Sequence, residues 1–333
     1  ATTNGKPCAR PQPSTGTEVF TGDAEKTLKA LHPMEVPLSE MAALHDEVRA
    51  MVTHRHIATR EEVRQATKQL RSGAATGPTG WSEELIDILL DDDPLADDIT
   101  ELIIDIANNA LEPAIRRRLT NSRLIGIPKS ANALRPIAVG DAWLKIASTA
   151  MLSKVVHDVA HIFKGVQFGV GMRAGAEIVI HRVRAAMREK ATCCTLDCTN
   201  AFNCVSRAAI ARALVQRPAL ASLAPLFLLE YSEHTSLIAD CGTIASRSGV
   251  RQGSVLSPLW FSLAIHDTVT SVAAQHPKLR LYAYLEENGK RMLAEGAEEG
   301  IKAGTRKDFR GTPTFTIDPF DAKDFDDALS VKT

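Results

Sequence analysis

The chain has 333 residues, 44% hydrophobic and 24% charged, with a formal net charge of −1. That reads as soluble and globular, with length for one large domain or two of ordinary size and a core able to hold a cleft. Overall charge argues for no nucleic-acid partner, so any basic groove has to be local.

Residues 1–30 are rich in Thr, Pro and Gly without periodicity and read as a disordered lead-in. Helices dominate from about Pro37. In "TREEVRQATKQLRSG", Thr59 and Glu62 form a capping box, Val63, Ala66 and Leu70 share a face, and Ser72-Gly73 ends the helix. "WSEELIDILL" opens at Ser82 with two acids in its first turn. The acidic run "DDDPLADD" lacks the Gly-centred spacing of a calcium loop and reads as solvated helix ends. "AIRRRLTNSR" is the richest basic stretch, with Arg116, Arg117, Arg118 and Arg123.

Residues 119–140 read as two short strands around a loop, and a long helix follows from Asp141. Within it "HDVAH" places His157 and His161 one turn apart, with Asp158 where a zinc protease carries glutamate. A helix-surface pair is the better reading. "ATCCTLD" is a small, partly β-branched strand ending in Asp197. "SLIADCGTIASRSGV" is a hairpin turning at Asp240-Cys241-Gly242. "SPLWFSLAIHD" opens a helix with Ser257 as N-cap and Pro258 at the first helical position. The six cysteines include no CxxC pair, and no second cluster completes a zinc site. No signal peptide opens the chain. The most apolar window, "LASLAPLFLLEY", is too short to span a bilayer and is broken by Pro225. The expected location is intracellular, in cytoplasm or nucleus.

Three segments carry chemistry. An aspartate at the end of "TLD" can reach a metal in an adjoining cleft, with Phe202 brought beside it as the chain turns into a helix. In "GVRQGSVLSPLWFSL", Gly253 lets the backbone approach a flat ligand and Gln252 can brace a nucleotide. In "IPKSANALRPIAV", Lys129 and Arg135 flank a loop as a clamp for triphosphate oxygens.

Together with "SGAATGPTGW" and "QFGVGMRAGAE", and in this order, these segments resemble the reverse transcriptases of non-LTR retrotransposons, from roughly Leu31 to Tyr284. The resemblance implies an α+β, partial right-hand polymerase. Its helical fingers span 31–190, and a partial palm with a small antiparallel sheet spans 191–285. It implies RNA-directed DNA polymerase activity on an RNA template and DNA primer with deoxynucleoside triphosphates. Asp197 matches the first magnesium-binding aspartate and Phe202 the gate against a ribose 2′-OH. Gln252 and Gly253 match the loop that contacts nucleotide and template, and Lys129 and Arg135 the triphosphate-holding residues of the fingers. Two magnesium ions about 3.5–4 Å apart would stabilise the attacking and leaving oxygens. Where the family's second metal motif carries Tyr-x-Asp-Asp, this chain reads "YLEE": Glu286 and Glu287 have the charge of aspartate and one methylene more. The implied polymerase is therefore incomplete and impaired.

Residues 286–305 form a charged, Ala- and Glu-rich helical connector. "RKDFRGTPTFTIDPFDAKDFDDALS" then resembles the opening of the ribonuclease II/R catalytic domain, with Asp318, Asp324, Asp326 and Asp327 matching its magnesium-binding aspartates. The strand "TPTFTID" is expected to lack its nuclease-fold partners, making 306–333 a truncated appendage of a composite chain. The alternatives to an impaired polymerase are a catalytically dead remnant that at most binds nucleic acid and, ranked lowest, a 3′-to-5′ exoribonuclease fragment.

Overall fold

A computed structural model describes residues 22–33, 38–70, 73–130, 133–191, 198, 200–278, 280–283, 314–316 and 328–330. Residues 192–197 of the expected "ATCCTLD" strand, the 286–305 connector and the residues Asp197, Glu286, Glu287, Asp318, Asp324, Asp326 and Asp327 lie outside these residues.

The expected lead-in is shorter than 30 residues, because helix α1 (Ala24–Leu31) already begins inside it. Asp23 caps α1 by accepting from Lys26 N–H at 3.0 Å, and Leu28, 3% exposed, gives the helix its anchor. Composition around it is Thr- and Gly-rich, which hid an eight-residue helix with one buried side chain. Helix α2 (Leu38–Ala50) follows. Helix α3 (Arg60–Gln69) carries the Thr59–Glu62 capping box and buries Val63 and Ala66. Helix α4 (Glu83–Leu89) is capped by Ser82, and α5 (Asp93–Ala107) by Asp92. The acidic run between them is a helix N-terminus, and Arg60 pairs with both Asp93 (2.7 Å) and Asp97 (2.6 Å). Helix α6 (Pro113–Thr120) carries the arginine cluster.

Strands β1 (Ser122–Ser130) and β2 (Ala133–Val139) form the expected antiparallel pair. Helix α7 (Ala142–Phe163) is buried on most of its circumference and runs through the main core. His157, Asp158 and His161 lie exposed on its surface. Helix α8 (Gly175–Arg188), the short α9 (Ala201–Cys204) and α10 (Arg207–Val215) come next. A 3-10 turn over Pro218–Leu223 leads into α11 (Ala224–Tyr231), every residue of which is buried. The apolar window is thus a core segment, and among the described residues no helix is long and apolar enough to cross a membrane.

Strands β3 (Thr235–Ala239) and β4 (Gly242–Ser246) make the expected hairpin, closed at Asp240-Cys241. Helix α12 (Ser257–Gln275) begins one residue earlier than expected. Ser257 is its first residue and not its cap, and Leu256 occupies the cap position without a side-chain hydrogen bond. Pro258 still falls in the first turn, where its missing N–H costs nothing. Ser257 is fully buried, so packing has claimed the side chain that the sequence offered as a cap.

The sheet order is β2-β1-β3-β4. The palm strands β3 and β4 are antiparallel, as expected, and β1 joins them by running parallel to β3, with Ser122 opposite Leu237 and Arg123 opposite Ile238. One face carries Leu124, Leu134, Ala138, Leu237 and Ile244 against Leu28 of α1. The main core gathers α2, α3, α5, α7, α10, α11 and α12, with Phe227 edge-on to Trp260 at 5.6 Å. Near the C-terminus, β5 (Thr314–Thr316) pairs antiparallel with β6 (Ala328–Ser330). The "TFT" strand is therefore paired by a strand from its own C-terminal segment.

Four histidines titrate in one direction. Burial holds His32, His45, His56 and His266 below the ordinary imidazole value. The unfolded chain therefore binds more protons than the fold once pH drops below about 6.5, and stability falls with it. Thermal melts should show a lower Tm at pH 5.5 than at pH 7.5. Glu62, held low chiefly by its hydrogen bond to Lys154, loses its contribution only at more acid pH. An unchanged or higher Tm at pH 5.5 would contradict the burial of these rings.

Candidate active site

The loop between β4 and α12 is held by its backbone at four points. Gly249 has φ +65°, and a Cβ there would lie 2.3 Å from the carbonyl carbon and oxygen of Asn203. Val250 N–H donates to Phe202 O at 2.7 Å. On the opposite side Ala138 N–H of β2 donates to Gln252 O at 2.7 Å. Gly253 has φ +113°, and a Cβ on it would meet Ala138 O at 2.8 Å. Both glycines are needed, since the conformation and the close approach each exclude a side chain.

Between these anchors sits Arg251, 3% exposed, ion-paired with Glu230, which has no exposure. Its guanidinium also donates to Thr120 O and, at 3.2 Å, to Ser122 Oγ at the start of β1. Ser254 O–H donates to the same Glu230 oxygen at 3.1 Å. Burial works to discharge Arg251, and Glu230 overrides it, so the guanidinium stays firmly protonated. Arg207 secures the other shoulder through Gly249 O (2.9 Å) and Ser246 Oγ (2.9 Å), and lies over the Tyr231 ring at 4.9 Å.

Phe202 lies on α9, which Asn200 opens from a left-handed conformation, φ +55°. Asn200 Nδ2–H donates to Leu31 O at 2.7 Å, tying this turn to the end of α1. The Phe202 ring stacks on Phe261 of α12 at 5.5 Å and 25°. On the sheet, Lys129 falls where the β1–β2 register shifts between Pro128 and Ser130. Arg135 sits opposite Ile127, half-buried, and alternation puts it on one face of β2 with Ile137. Ile137 Cγ2 would lie 3.6 Å from a Cβ on Gly253, so the Arg135 face of β2 borders the glycine loop. The fold thus joins the segments of Phe202, Gln252, Gly253 and Arg135 through direct backbone contacts.

"SGAATGPTGW" closes the far end of β2. A Cβ on Gly77 would meet Gly140 O at 2.7 Å, and Thr79 O–H donates to Asp141, the N-cap of α7. Burial pushes the Asp141 carboxyl up, against the pull of the Thr79 and Trp143 donors.

Residues 127–287 match the family model described as reverse transcriptase (RNA-dependent DNA polymerase). This stretch is thus similar to a reverse transcriptase domain. It is also 32% identical over 232 residues to the retrotransposable element SLACS 132 kDa protein of Trypanosoma brucei gambiense. That alignment covers 68% of this chain and 20% of the relative, so the chain spans about a fifth of that protein's length.

Within the matched stretch 127–287, "QFGVGMRAGAE" has a physical task that the sequence alone did not indicate. Ala283, just before "YLEE", is bracketed by this segment: Phe168 N–H donates to Ala283 O and Ala283 N–H to Val166 O, both at 2.8 Å. Gln167, 2% exposed, donates to Ser262 Oγ of α12 at 3.0 Å. A Cβ on Gly175 would fall 1.6 Å from Phe168 O, so α8 starts directly on this seat. Arg182 of α8 covers the rings of Phe168 (4.9 Å) and Tyr282 (5.6 Å). Phe168 between Gln167 and Gly169 was the available signal.

Among the described residues no group of three or more His, Cys, Asp or Glu side chains could hold a metal ion. The carboxylates expected to do so are the undescribed Asp197, Glu286 and Glu287.

Proposed function

We propose that the chain supplies the fingers (31–190) and part of the palm (191–285) of an RNA-directed DNA polymerase. It would extend a DNA primer along an RNA template with deoxynucleoside triphosphates. The observation that carries this reading is the loop from Gly249 to Gly253, wedged between the Phe202 carbonyl and the backbone of Ala138. Gln252 and Gly253 would contact nucleotide and template, Lys129 and Arg135 would hold the triphosphate, and Phe202 would exclude a ribose 2′-OH. Asp197, Glu286 and Glu287 are hard oxygen donors of the kind magnesium takes, and they would hold it. When bound, the metal would lower the charge on the transferring phosphate and leaving pyrophosphate.

The glutamates favour an impaired enzyme, because displacing a catalytic group by about 1 Å can cost on the order of a hundredfold. Primer extension on an RNA template tests the reading. Glu286→Asp with Glu287→Asp should raise the rate, and equal rates would show that side-chain length is not the defect. In that background Phe202→Ala should reduce the preference for deoxy- over ribonucleotides about tenfold or more. Unchanged discrimination would remove Phe202 from the gate, and no extension by any variant would favour the dead remnant that only binds nucleic acid.

Residues 286–305 are read as a connector and 306–333 as the opening of a ribonuclease II/R-type domain. Asp318, Asp324, Asp326 and Asp327 would be its magnesium ligands. The motif alone supports that reading.

A further inference from the structure

Helix α9 is four residues long, opens from a left-handed asparagine and has no side-chain cap, so it cannot fix the ring of Phe202 by itself. Its backbone is pinned. Phe202 O accepts from Val250 N–H at 2.7 Å, and Asn203 Nδ2–H donates to Asn200 Oδ1 at 2.8 Å. Such pins hold the main chain and leave the side-chain torsions to be set by packing. The half-buried Phe202 ring packs on Phe261, stacked at 5.5 Å and 25°. Phe261 is 8% exposed and belongs to the main core, between Trp260 and Ser262, which are 0% and 1% exposed. Trp260 is held edge-on by Phe227 at 5.6 Å, and Ser262 accepts from the Gln167 amide at 3.0 Å. A close-packed surround of this kind does not yield without cost.

A gate against a 2′-OH acts by repulsion, and a wall that can retreat repels nothing. We propose that Phe261 is the positioning residue of that gate. It backs the Phe202 ring and denies it the space into which a ribose hydroxyl would push it. The inference rests on the polymerase reading, with Phe202 as the gate, and moves part of the sugar selectivity onto a buried residue of α12. Phe261 acts only through the ring it supports.

The test is single-nucleotide primer extension by the full chain in the Glu286→Asp, Glu287→Asp background. It compares kcat/KM for a deoxynucleotide and the matching ribonucleotide. Phe261→Leu should raise the ribonucleotide value about two- to tenfold, the range a stacked aromatic pair is worth, and leave the deoxynucleotide value nearly unchanged. Loss of a merely structural contact would lower both together. Phe202→Ala with Phe261→Leu should discriminate no worse than Phe202→Ala alone, because the two residues act as one unit. Phe261→Met keeps most of the volume but exchanges a rigid ring for a flexible chain, so it tests the backstop where leucine leaves a cavity that unfolds the protein. Phe227→Leu is the control. Its ring is buried in the same core and meets Tyr231 and Trp260, so it should cost stability and leave the nucleotide ratio unchanged. If Phe202→Ala relaxes selectivity and the Phe261 variants do not, or if they lower both nucleotides together, the backstop is overturned and the polymerase reading stands. If Phe202→Ala itself leaves the ratio unchanged, the gate assignment fails and the inference with it. Extension by no variant overturns the polymerase reading as well.

Discussion

Replacing Glu230 with leucine should destabilise the fold by about 3–5 kcal/mol, because it leaves the Arg251 guanidinium charged and enclosed. Glu230 has no exposure and Arg251 3%, so water cannot take the place of the missing carboxylate. The guanidinium would keep only neutral acceptors, Thr120 O and Ser122 Oγ. The pair is itself incompletely satisfied, since Glu230 Oε1 and Arg251 Nε have no hydrogen-bond partner. Glu230→Leu with Arg251→Met should therefore recover most of the loss, as apolar replacements of buried ion pairs often do. Urea denaturation of the two variants decides it. A single variant within 1 kcal/mol of the original chain would mean the carboxylate is not what keeps Arg251 folded inside. The expected functional mark is on the adjacent Gln252, whose carbonyl is held by β2 only while Arg251 fixes the loop.

The second large effect is expected at Gly249. An alanine there must adopt φ +65°, which costs about 1–3 kcal/mol on its own. Its Cβ must also displace the Asn203 carbonyl 2.3 Å away, and that oxygen accepts from Ser248 O–H at 3.0 Å. Gly165 makes the control: φ is +84°, and nothing lies within 4 Å of the added carbon. Gly165→Ala should show the backbone strain alone, and Gly249→Ala clearly more. Equal losses in the two would show that the approach of the loop to α9 is not tight. A larger loss at Gly249 should also perturb Phe202, whose carbonyl receives the next N–H of the loop.

What could be read in the sequence was local. The Thr59–Glu62 box and the Asp240-Cys241 turn each involve residues within a few positions, so spacing suffices to find them. The β1–β2 pair is adjacent in the chain and was equally legible. Polymerase motifs were legible as resemblance, and the structure brings the segments of Phe202, Gln252, Gly253 and Arg135 into backbone contact. The parallel β1–β3 contact was not legible, because it pairs residues over a hundred positions apart with nothing local to mark it. Buried charge escaped for another reason: Arg207, Glu230 and Arg251 look like surface residues until their partners are known. Thr235 is the same case in miniature, a strand-former whose orphan hydroxyl only coordinates reveal.

The β1–β3 pairing also has a consequence for synthesis. A ribosome releases β1 and β2 well before β3 and β4, with α7 to α11 between them. At the usual pace of translation the interval is on the order of ten seconds. Throughout it β1 offers a bare strand edge at Ser122 and Arg123, which only Leu237 and Ile238 will cover. Open edges of this kind recruit other chains. Slowing translation between residues 140 and 235 should therefore lower soluble yield, and a holding chaperone should restore it.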